Sequence, residues 1–275
     1  MAVDEAANSP QKAAAEIHRQ LGTVTGAVPI FEIARALDIE QIEQHPLRGF
    51  EAMLLTAPER DFGHVILNSN SNARRRRYSL AHELGHFLCT WHRPSQQDGF
   101  ACSRGDMVSP VGSAQHIAQE REANVFAIEL LAPRHLVAPF LKRLPDLDVI
   151  LALHKRLDIS KVAAGRRYVG LHHASLALVV AKSGQFLYAE RSAAFPFLPF
   201  ERGDQLPNLP AIGRDGPTSE VTDADAADWR LPHPPGQLFC QVLEQEDSHA
   251  LILLQLDNEE DEQSSLPVSD GRFPV

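Results

Sequence analysis

Two histidines and a glutamate lie within one five-residue segment, His82-Glu83-Leu84-Gly85-His86. The residues around this segment are apolar at helical spacing, which predicts a helix that is buried along one side. Because residues four apart lie on one face of a helix, both imidazoles can reach the same metal ion. Three polar groups on such a buried helix would be costly without a metal ion or hydrogen-bonding partners. The segment therefore predicts a helix at a metal site.

The pattern of this segment indicates metal-dependent hydrolysis of peptide bonds. Two neutral imidazoles leave zinc cationic enough to lower the pKa of a bound water to roughly 7. Glu83 projects near the ion without binding it, so it can take a proton from that water and pass it to a leaving amine. We therefore expect a metalloendopeptidase in which His82 and His86 bind Zn²⁺, with Mn²⁺ as an alternative, and Glu83 is the general base.

A catalytic zinc ion needs a third protein ligand and an open fourth position. We favour Glu120, which lies on the next long predicted helix, His116–Leu131. Asn124 shares a face of that helix with Glu120, so it can hydrogen-bond a ligand histidine and fix the orientation of the ring. Glu122 is the alternative ligand on the same helix.

His92 and Cys102 are two further candidates at the metal site. His92 has the spacing of a longer zinc signature, but that signature has Gly where this chain has Cys89, because the helix must turn sharply there. His92 is therefore the second choice as third ligand. Cys102 can bind at the open metal position and inhibit the enzyme. A cysteine of this kind is more often a small buried residue without a catalytic role.

A β-hairpin is predicted before the metal motif and a loop after it. Two apolar runs, Phe50–Thr56 and His64–Asn68, flank the turn residues of Pro58–Gly63. If His64–Asn68 is an exposed sheet edge, its main chain can hydrogen-bond an extended peptide beside the metal. The segment Pro94–Gly112 mixes Pro, Gly, Ser and Gln without apolar periodicity, which predicts a long loop.

The chain changes character near Leu171. Four apolar runs follow, with turn residues such as Gly184 between them, and they predict a small antiparallel sheet. These runs are Ala174–Ala181, Phe186–Glu190, Leu238–Leu243 and Ala250–Leu256. The last third therefore forms a separate α+β domain, and the fold class of the whole chain is α+β with several domains.

The overall composition argues against several other classes of protein. With 44% hydrophobic and 23% charged residues, the chain can bury a core, and no apolar run is long enough to cross a membrane. The start lacks the features of a secretory signal, and three widely spaced cysteines cannot form a fully paired disulfide framework. We therefore expect a cytoplasmic protein. A net charge of -10 argues against nucleic-acid binding as its main role.

Two alternative functions stay open on these residues. The segment Leu151–Arg167 is locally basic and can form a helix-turn-helix, which favours a DNA-binding transcriptional regulator. Helical support for the peptidase explains the same segment equally well. The other alternative is a sensor or scaffold with a degenerate or structural metal site. A structural zinc site normally has four protein ligands, however, and the sequence offers three convincing ones.

Two motifs of the chain resemble those of the ImmA/IrrE metallopeptidase family. The first runs from Arg74 to His86, and the second, Glu-Arg-Glu-Ala-Asn-Val-Phe-Ala-Ile-Glu-Leu-Leu-Ala-Pro, begins at Glu120. The family pattern has a glutamate at the position of Glu120, which supports this residue as the third ligand. It usually ends in Met-Pro, where this chain has Ala132-Pro133. The resemblance covers about half of the chain, residues 13–133.

The resemblance implies a fold and a function beyond the metal site. The order of segments is similar to that of radiation-response members of the family from deinococci. It implies a zincin-like metallopeptidase domain over 1–133, a helix-turn-helix-like helical region over 134–170 and a GAF-like α+β sensor domain over 171–275. Those members cleave a helix-turn-helix repressor of the DdrO type and so release genes for DNA repair. The C-terminal domain is a candidate for binding a small-molecule signal, although the sequence contains no ligand-specific motif.

Overall fold

The computed structural model of the protein describes residues 9–94, 99–108, 110–212, 217–232 and 236–258. The chain divides into two compact units, Met1–Lys142 with Leu151–Ala164 and Arg143–Ile150 with Gly165–Val275. The fold is mixed α+β, as predicted. The division into domains at 1–133, 134–170 and 171–275 stays a prediction. Within the described residues, no helix combines the length and the hydropathy that a membrane span requires.

The described part of the first unit contains a four-stranded sheet and several helices. In chain order its elements are α1 (Pro10–Leu21), α2 (Ile30–Ala36), β1 (Ile39–His45), β2 (Ala52–Thr56), β3 (Gly63–Asn68), α3 (Ala73–Leu88), β4 (Gly99–Cys102), α4 (Ala114–Leu131) and α5 (Arg134–Leu141). The strand order is β1-β3-β2-β4. β1 runs parallel to β3, whereas β2 is antiparallel to both β3 and β4.

The predicted hairpin is confirmed as β2 and β3, but β3 does not lie at a sheet edge. It pairs with β2 on one side and with β1 on the other, where Gln41 lies opposite His64 and His45 lies opposite Asn68. The edge prediction is wrong because β1 is polar and mostly exposed, so no apolar periodicity reveals it in the sequence. An extended peptide therefore has no free edge to pair with at β3.

β4 lies inside the segment Pro94–Gly112, where the sequence predicts only a loop. The strand pairs with β2, and Cys102 lies opposite Ala52. A Cβ at Gly99 would lie 1.9 Å from the Leu54 carbonyl oxygen, so glycine is required for the close approach of the two strands. The loop prediction is wrong here, because a strand of only four residues that pairs with β2 can form without an apolar pattern in its sequence. Residues 95–98 and 109 of the segment lie outside the described residues.

α3 packs against β2, β3 and α4. The Asn72 side chain accepts a hydrogen bond from the Arg75 N–H and caps the first turn of the helix. Gly85 lets α4 approach closely, since a Cβ there would lie 3.2 Å from the Ala123 Cα and 3.2 Å from the Phe126 Cβ. This close packing brings polar side chains of α4 against the histidines of α3.

The sheet of the second unit is antiparallel throughout its described strands, as predicted. These strands are β5 (Ser175–Lys182), β6 (Gln185–Arg191), β7 (Thr222–Ala224), β8 (Gly236–Glu244) and β9 (His249–Asn258), in the order β6-β5-β9-β8-β7. Every side chain of β5 from Leu176 to Ala181 is buried, which explains the continuous apolar run in this part of the sequence.

Two helices occupy the region in which the resemblance implies a helix-turn-helix. They are α6 (Leu147–Leu157) and α7 (Lys161–Leu171), and the boundary between the two units passes through both. Ser160 caps α7, because its side-chain oxygen accepts a hydrogen bond from the Ala163 N–H. Two helices joined by a short turn serve many functions, so the helix-turn-helix-like and GAF-like assignments stay predictions.

Candidate metal centre

Four side chains of the first unit converge on one point. His82 and His86 come from α3, Glu120 comes from α4, and Cys102 comes from the end of β4. Each offers one ligand atom, these atoms all lie within 4.8 Å of one another, and all four residues are buried. Across the described residues, no other set of three or more potential ligands converges in this way. The group thus joins three elements that follow one another in the chain.

The distances within this group fit the coordination of a single ion. His82 Nε2 lies 3.0 Å from Glu120 Oε2 and 3.1 Å from His86 Nε2, and His86 Nε2 lies 3.4 Å from Glu120 Oε1. Bonds of about 2.0–2.2 Å to a tetrahedral ion place neighbouring ligand atoms roughly 3.3–3.6 Å apart. The two Nε2 atoms face each other, and a shared cation satisfies the lone pairs of both. The group therefore fits a metal ion.

Asn124 fixes the orientation and the tautomer of His82. Its Oδ1 lies 3.1 Å from His82 Nδ1 and accepts a hydrogen bond of 2.8 Å from the Tyr78 hydroxyl. The Asn124 Nδ2 donates to the Asp106 carbonyl oxygen at 3.2 Å. Because an amide oxygen only accepts, the proton of His82 lies on Nδ1, and Nε2 keeps the lone pair that faces the other ligands.

His92 contacts His86 and does not belong to the group of four. His86 Nδ1 lies 2.9 Å from His92 Nδ1, and His92 Nε2 lies 2.8 Å from Glu122 Oε2. Since the carboxylate accepts the Nε2 proton of His92, the His92 Nδ1 accepts from His86, whose Nε2 again keeps its lone pair. Glu122 also accepts a hydrogen bond of 2.6 Å from Trp91 Nε1. The two alternative ligands, His92 and Glu122, thus form a series of hydrogen bonds that begins at the Nδ1 of His86.

Arg60 holds the turn that returns the chain to His86 after α3. Its guanidinium donates to the main-chain carbonyls of His86, Phe87, Cys89 and His92. The end of a helix leaves such carbonyls without intrahelical partners, so these bonds stabilise the turn. The chain therefore turns sharply without a glycine at Cys89, contrary to the expectation from the longer zinc signature.

The two buried glutamates of the site have opposite pKa shifts. Burial raises the pKa of Glu83 to about 7, and the neighbouring His82 and Cys102 offset this only in part. Neither carboxylate oxygen of Glu83 has a hydrogen-bond partner among the described residues. Burial also raises the pKa of Glu120, but the hydrogen bonds to His82 and His86 outweigh burial and hold this pKa well below the ordinary value. Burial lowers the pKa of His86 to about 3, so its imidazole is neutral, the form that binds metal.

His116 and Asp106 complete the surroundings of Glu120, and the sequence analysis singles out neither. His116 Nδ1 lies 3.7 Å from Glu120 Oε1, and His116 Nε2 lies 3.3 Å from Asp106 Oδ1. The four-residue spacing of His116 and Glu120 on α4 is the signal that could have revealed the histidine. No local pattern reveals Asp106, because its position depends on the path of the chain after β4.

Comparisons with known proteins concern the same part of the chain. The family model Peptidase_M78, described as the IrrE N-terminal-like domain, matches residues 39–168, which contain the group of four and Glu83. A solved structure of a Mycobacterium tuberculosis transcriptional regulator has a similar fold, with a TM-score of 0.55 and 14% sequence identity over 93% of this chain and 82% of that chain. No curated protein matches, and neither match is specific to members from deinococci. Residues 39–168 are thus similar to the IrrE N-terminal-like domain, which supports the ImmA/IrrE family.

Proposed function

We propose that this protein is a site-specific zinc metallopeptidase. Its substrate is a helix-turn-helix repressor of the DdrO type, and cleavage switches on a response to radiation and DNA damage. The observation that carries the peptidase is Glu83, a carboxyl with 0% exposure and no hydrogen-bond partner among the described residues, beside converging ligand atoms. Burial of such a group is costly, and a role in proton transfer accounts for the cost.

Glu83 has the environment of a general base. When bound, zinc supplies a Lewis acid that polarises the scissile carbonyl and acidifies an attacking water. Glu83 accepts the proton of that water at a carboxylate oxygen and donates it to the nitrogen of the departing amine. A pKa of about 7, raised by burial, suits both transfers near neutral pH. His82, His86 and Glu120 would hold the ion, and Asn124 keeps the His82 ring in orientation.

Cleavage of the repressor tests this proposal. The zinc-loaded protein is incubated with a DdrO-type repressor, and the repressor is followed by mass spectrometry. We expect a single cut, and a rate about 10²–10⁴-fold lower in Glu83→Gln with unchanged zinc content. Cys240→Ala changes a buried thiol in the second unit and is the matched control. The peptidase is contradicted if neither the wild type nor Cys102→Ala, which lacks the thiol at the metal position, makes a cut with zinc or manganese.

A structural metal site in a sensor or scaffold protein is the second candidate, and Cys102 favours it. The sequence offers three convincing ligands, whereas the structure brings a fourth ligand atom within 4.8 Å of the others. Four protein ligands are typical of structural zinc. In that case Glu83→Gln would leave the function in cells unchanged. The unpartnered Glu83 carboxyl favours the peptidase, because a structural site needs no buried carboxyl beside its ligands.

DNA binding stays an alternative role for the region 134–170. The solved structure with a similar fold is described as a transcriptional regulator, but 14% identity carries the fold alone. Arg166 of the basic segment already forms an ion pair of 3.0 Å with Glu190. DNA binding that weakens steeply with salt and is lost in Arg166→Ala would favour the regulator. A small-molecule signal at the C-terminal region and a cytoplasmic location likewise stay proposals.

A further inference from the structure

Cys102 has different surroundings from the other buried cysteines. Cys89, Cys102 and Cys240 are all buried free thiols. Cys240 lies in the apolar core of the second unit, whereas the 1% exposed Cys102 lies beside the carboxyls of Glu83 and Glu120 and belongs to the converging group. Two neighbouring carboxyls make this a poor position for an apolar packing residue and a suitable one for a ligand of a cation.

A fourth protein ligand changes what the metal site can do. His82, His86, Glu120 and Cys102 together would supply the four ligands of a zinc ion and would leave no position open to water. The buried oxygens of Glu83, which have no hydrogen-bond partner among the described residues, then have no water from which to take a proton. Metal binding itself deprotonates a coordinating thiol, so the burial of Cys102 does not prevent ligation.

We propose that Cys102 is the fourth metal ligand of the resting protein and that it holds the peptidase in a latent state. This latency rests on the proposed function, because only a peptidase can be latent in this sense. Activation would release the Cys102 thiolate from the ion, the thiolate would take up a proton from solvent, and water would replace the sulfur. No electron transfer is needed. Latency protects other proteins from cleavage until the sulfur departs.

The fold holds the Cys102 thiol at the metal position. Cys102 lies opposite Ala52 in the pair of β4 and β2, and its carbonyl accepts a hydrogen bond of 2.9 Å from the Glu51 N–H. At the other end of β4, the absence of a Cβ at Gly99 permits contact with the Leu54 carbonyl. β4 is thus anchored to β2 at both ends, and this anchoring fixes the position of the Cys102 thiol.

Cobalt substitution tests ligation by Cys102 without measuring activity. Thiolate ligands give Co²⁺ an intense charge-transfer absorption in the near ultraviolet. We expect this band in the full-length wild type and in Cys240→Ala, and its loss in Cys102→Ala. In the zinc-loaded proteins, X-ray absorption should show one sulfur at about 2.3 Å in the wild type and none in Cys102→Ala. Circular dichroism of each variant confirms that it is folded.

Cleavage by the same proteins tests latency. If the open form makes up ~0.1–10% of the resting protein, Cys102→Ala should cleave the DdrO-type repressor about 10–1000-fold faster than the wild type. Cys240→Ala should cleave at the wild-type rate. Cys102→Ala should also bind zinc more weakly than the wild type, because it loses a ligand. A double variant, Cys102→Ala with Glu83→Gln, should lose the gain in rate.

The outcomes separate the two proposals. A wild type without sulfur ligation that cleaves the repressor would overturn latency and leave the peptidase intact. Sulfur ligation with no cleavage by either the wild type or Cys102→Ala would overturn the peptidase, and latency with it, in favour of a four-ligand structural site. Sulfur ligation with equal cleavage rates in the two proteins would overturn latency alone.

Discussion

The buried side chains of Gln241 and Ser219 in the second unit bond to the main chain, whereas the buried polar side chains at the centre of the first unit face one another. In the second unit, the buried Gln241 Oε1 accepts a hydrogen bond of 2.7 Å from the Leu147 N–H. The buried Ser219 Oγ accepts one of 2.9 Å from the Val242 N–H. These side chains satisfy main-chain groups that would otherwise be buried without partners, so they stabilise the fold.

The first unit has the opposite arrangement at its centre. The Nε2 atoms of His82 and His86 lie 3.1 Å apart, and Glu83 is buried without a hydrogen-bond partner among the described residues. Such groups cost free energy in the protein alone, and a cation that bound the two imidazoles would offset this cost. The second unit thus uses Gln241 and Ser219 to stabilise the fold, whereas the first unit buries polar groups that only a ligand would satisfy.

Metal removal should show the largest difference between the two units. Zinc at 1,000 times its dissociation constant stabilises the folded state by about 4 kcal/mol, and the whole group of four lies in the first unit. We expect a chelator to accelerate amide hydrogen exchange in α3 and α4 and to leave exchange in β5 and β9 unchanged. Mass spectrometry of the exchanged peptides reports both in one sample. Equal acceleration of amide exchange in α3, α4, β5 and β9 would contradict this difference between the two units.

Glu83 should make the metal-free protein less stable as the pH rises. Burial raises its pKa from 4.5 to about 7, so between these values the folded chain holds a proton that the unfolded chain has lost. The free energy of unfolding therefore falls as the pH rises through this window, by up to about 3 kcal/mol. Glu83→Gln should remove this fall. His86, whose pKa burial lowers to about 3, gives the opposite slope in both proteins, so their difference isolates Glu83.

Gln241→Leu is the matched change in the second unit. It removes the hydrogen bond to the Leu147 N–H and one of 3.3 Å to the Ser219 carbonyl, and it should lower the free energy of unfolding by about 1–3 kcal/mol at every pH. Urea unfolding from about pH 5 to pH 8 measures the free energy of unfolding of the wild type, Glu83→Gln and Gln241→Leu. If Glu83→Gln lowers the free energy of unfolding at every pH as Gln241→Leu does, the Glu83 carboxyl has stabilising partners in the fold. The difference between the two units would then be contradicted.

Asn124→Ala should weaken zinc binding by about 10–100-fold, because His82 loses the acceptor for its Nδ1 proton. Asn124→Asp keeps an oxygen at this position and should restore most of the affinity. Ser219→Ala removes a buried hydrogen bond in the second unit and should leave zinc affinity unchanged. Competition with a chromophoric chelator measures all three. Wild-type affinity in Asn124→Ala would show that His82 is oriented by other groups.

Glycine substitutions in helices should give the smallest contrast. Gly85→Ala in α3 places a methyl group 3.2 Å from the Ala123 Cα, and we expect a loss of about 1–3 kcal/mol in the free energy of unfolding. Gly170→Ala in α7 meets no atom within 4 Å and should gain about 0.5–1 kcal/mol from helix propensity. Thermal unfolding compares them. A gain in Gly85→Ala would mean that α3 and α4 separate without penalty.

Sequence by itself determined the features that depend on local spacing. The four-residue interval between His82 and His86 puts both rings on one helix face, whatever the rest of the fold does. The same rule puts Glu120 and Asn124 on one face of α4, and the structure places Glu120, not the alternative Glu122, against the imidazoles. The hairpin of β2 and β3 and the antiparallel sheet of the second unit follow from apolar runs between turn residues.

Only the tertiary structure decided where the candidates Cys102 and His92 lie relative to the two imidazoles. β1 and β4 lack an apolar pattern and exist because they pair with β3 and β2. That pairing removes the expected edge at β3 and carries Cys102 to the converging ligand atoms. Likewise, His92 reaches His86 because Arg60 stabilises a turn that the residues of the turn do not themselves favour. Strand pairing and side-chain contacts between distant segments depend on packing across the whole unit, which local periodicity does not record.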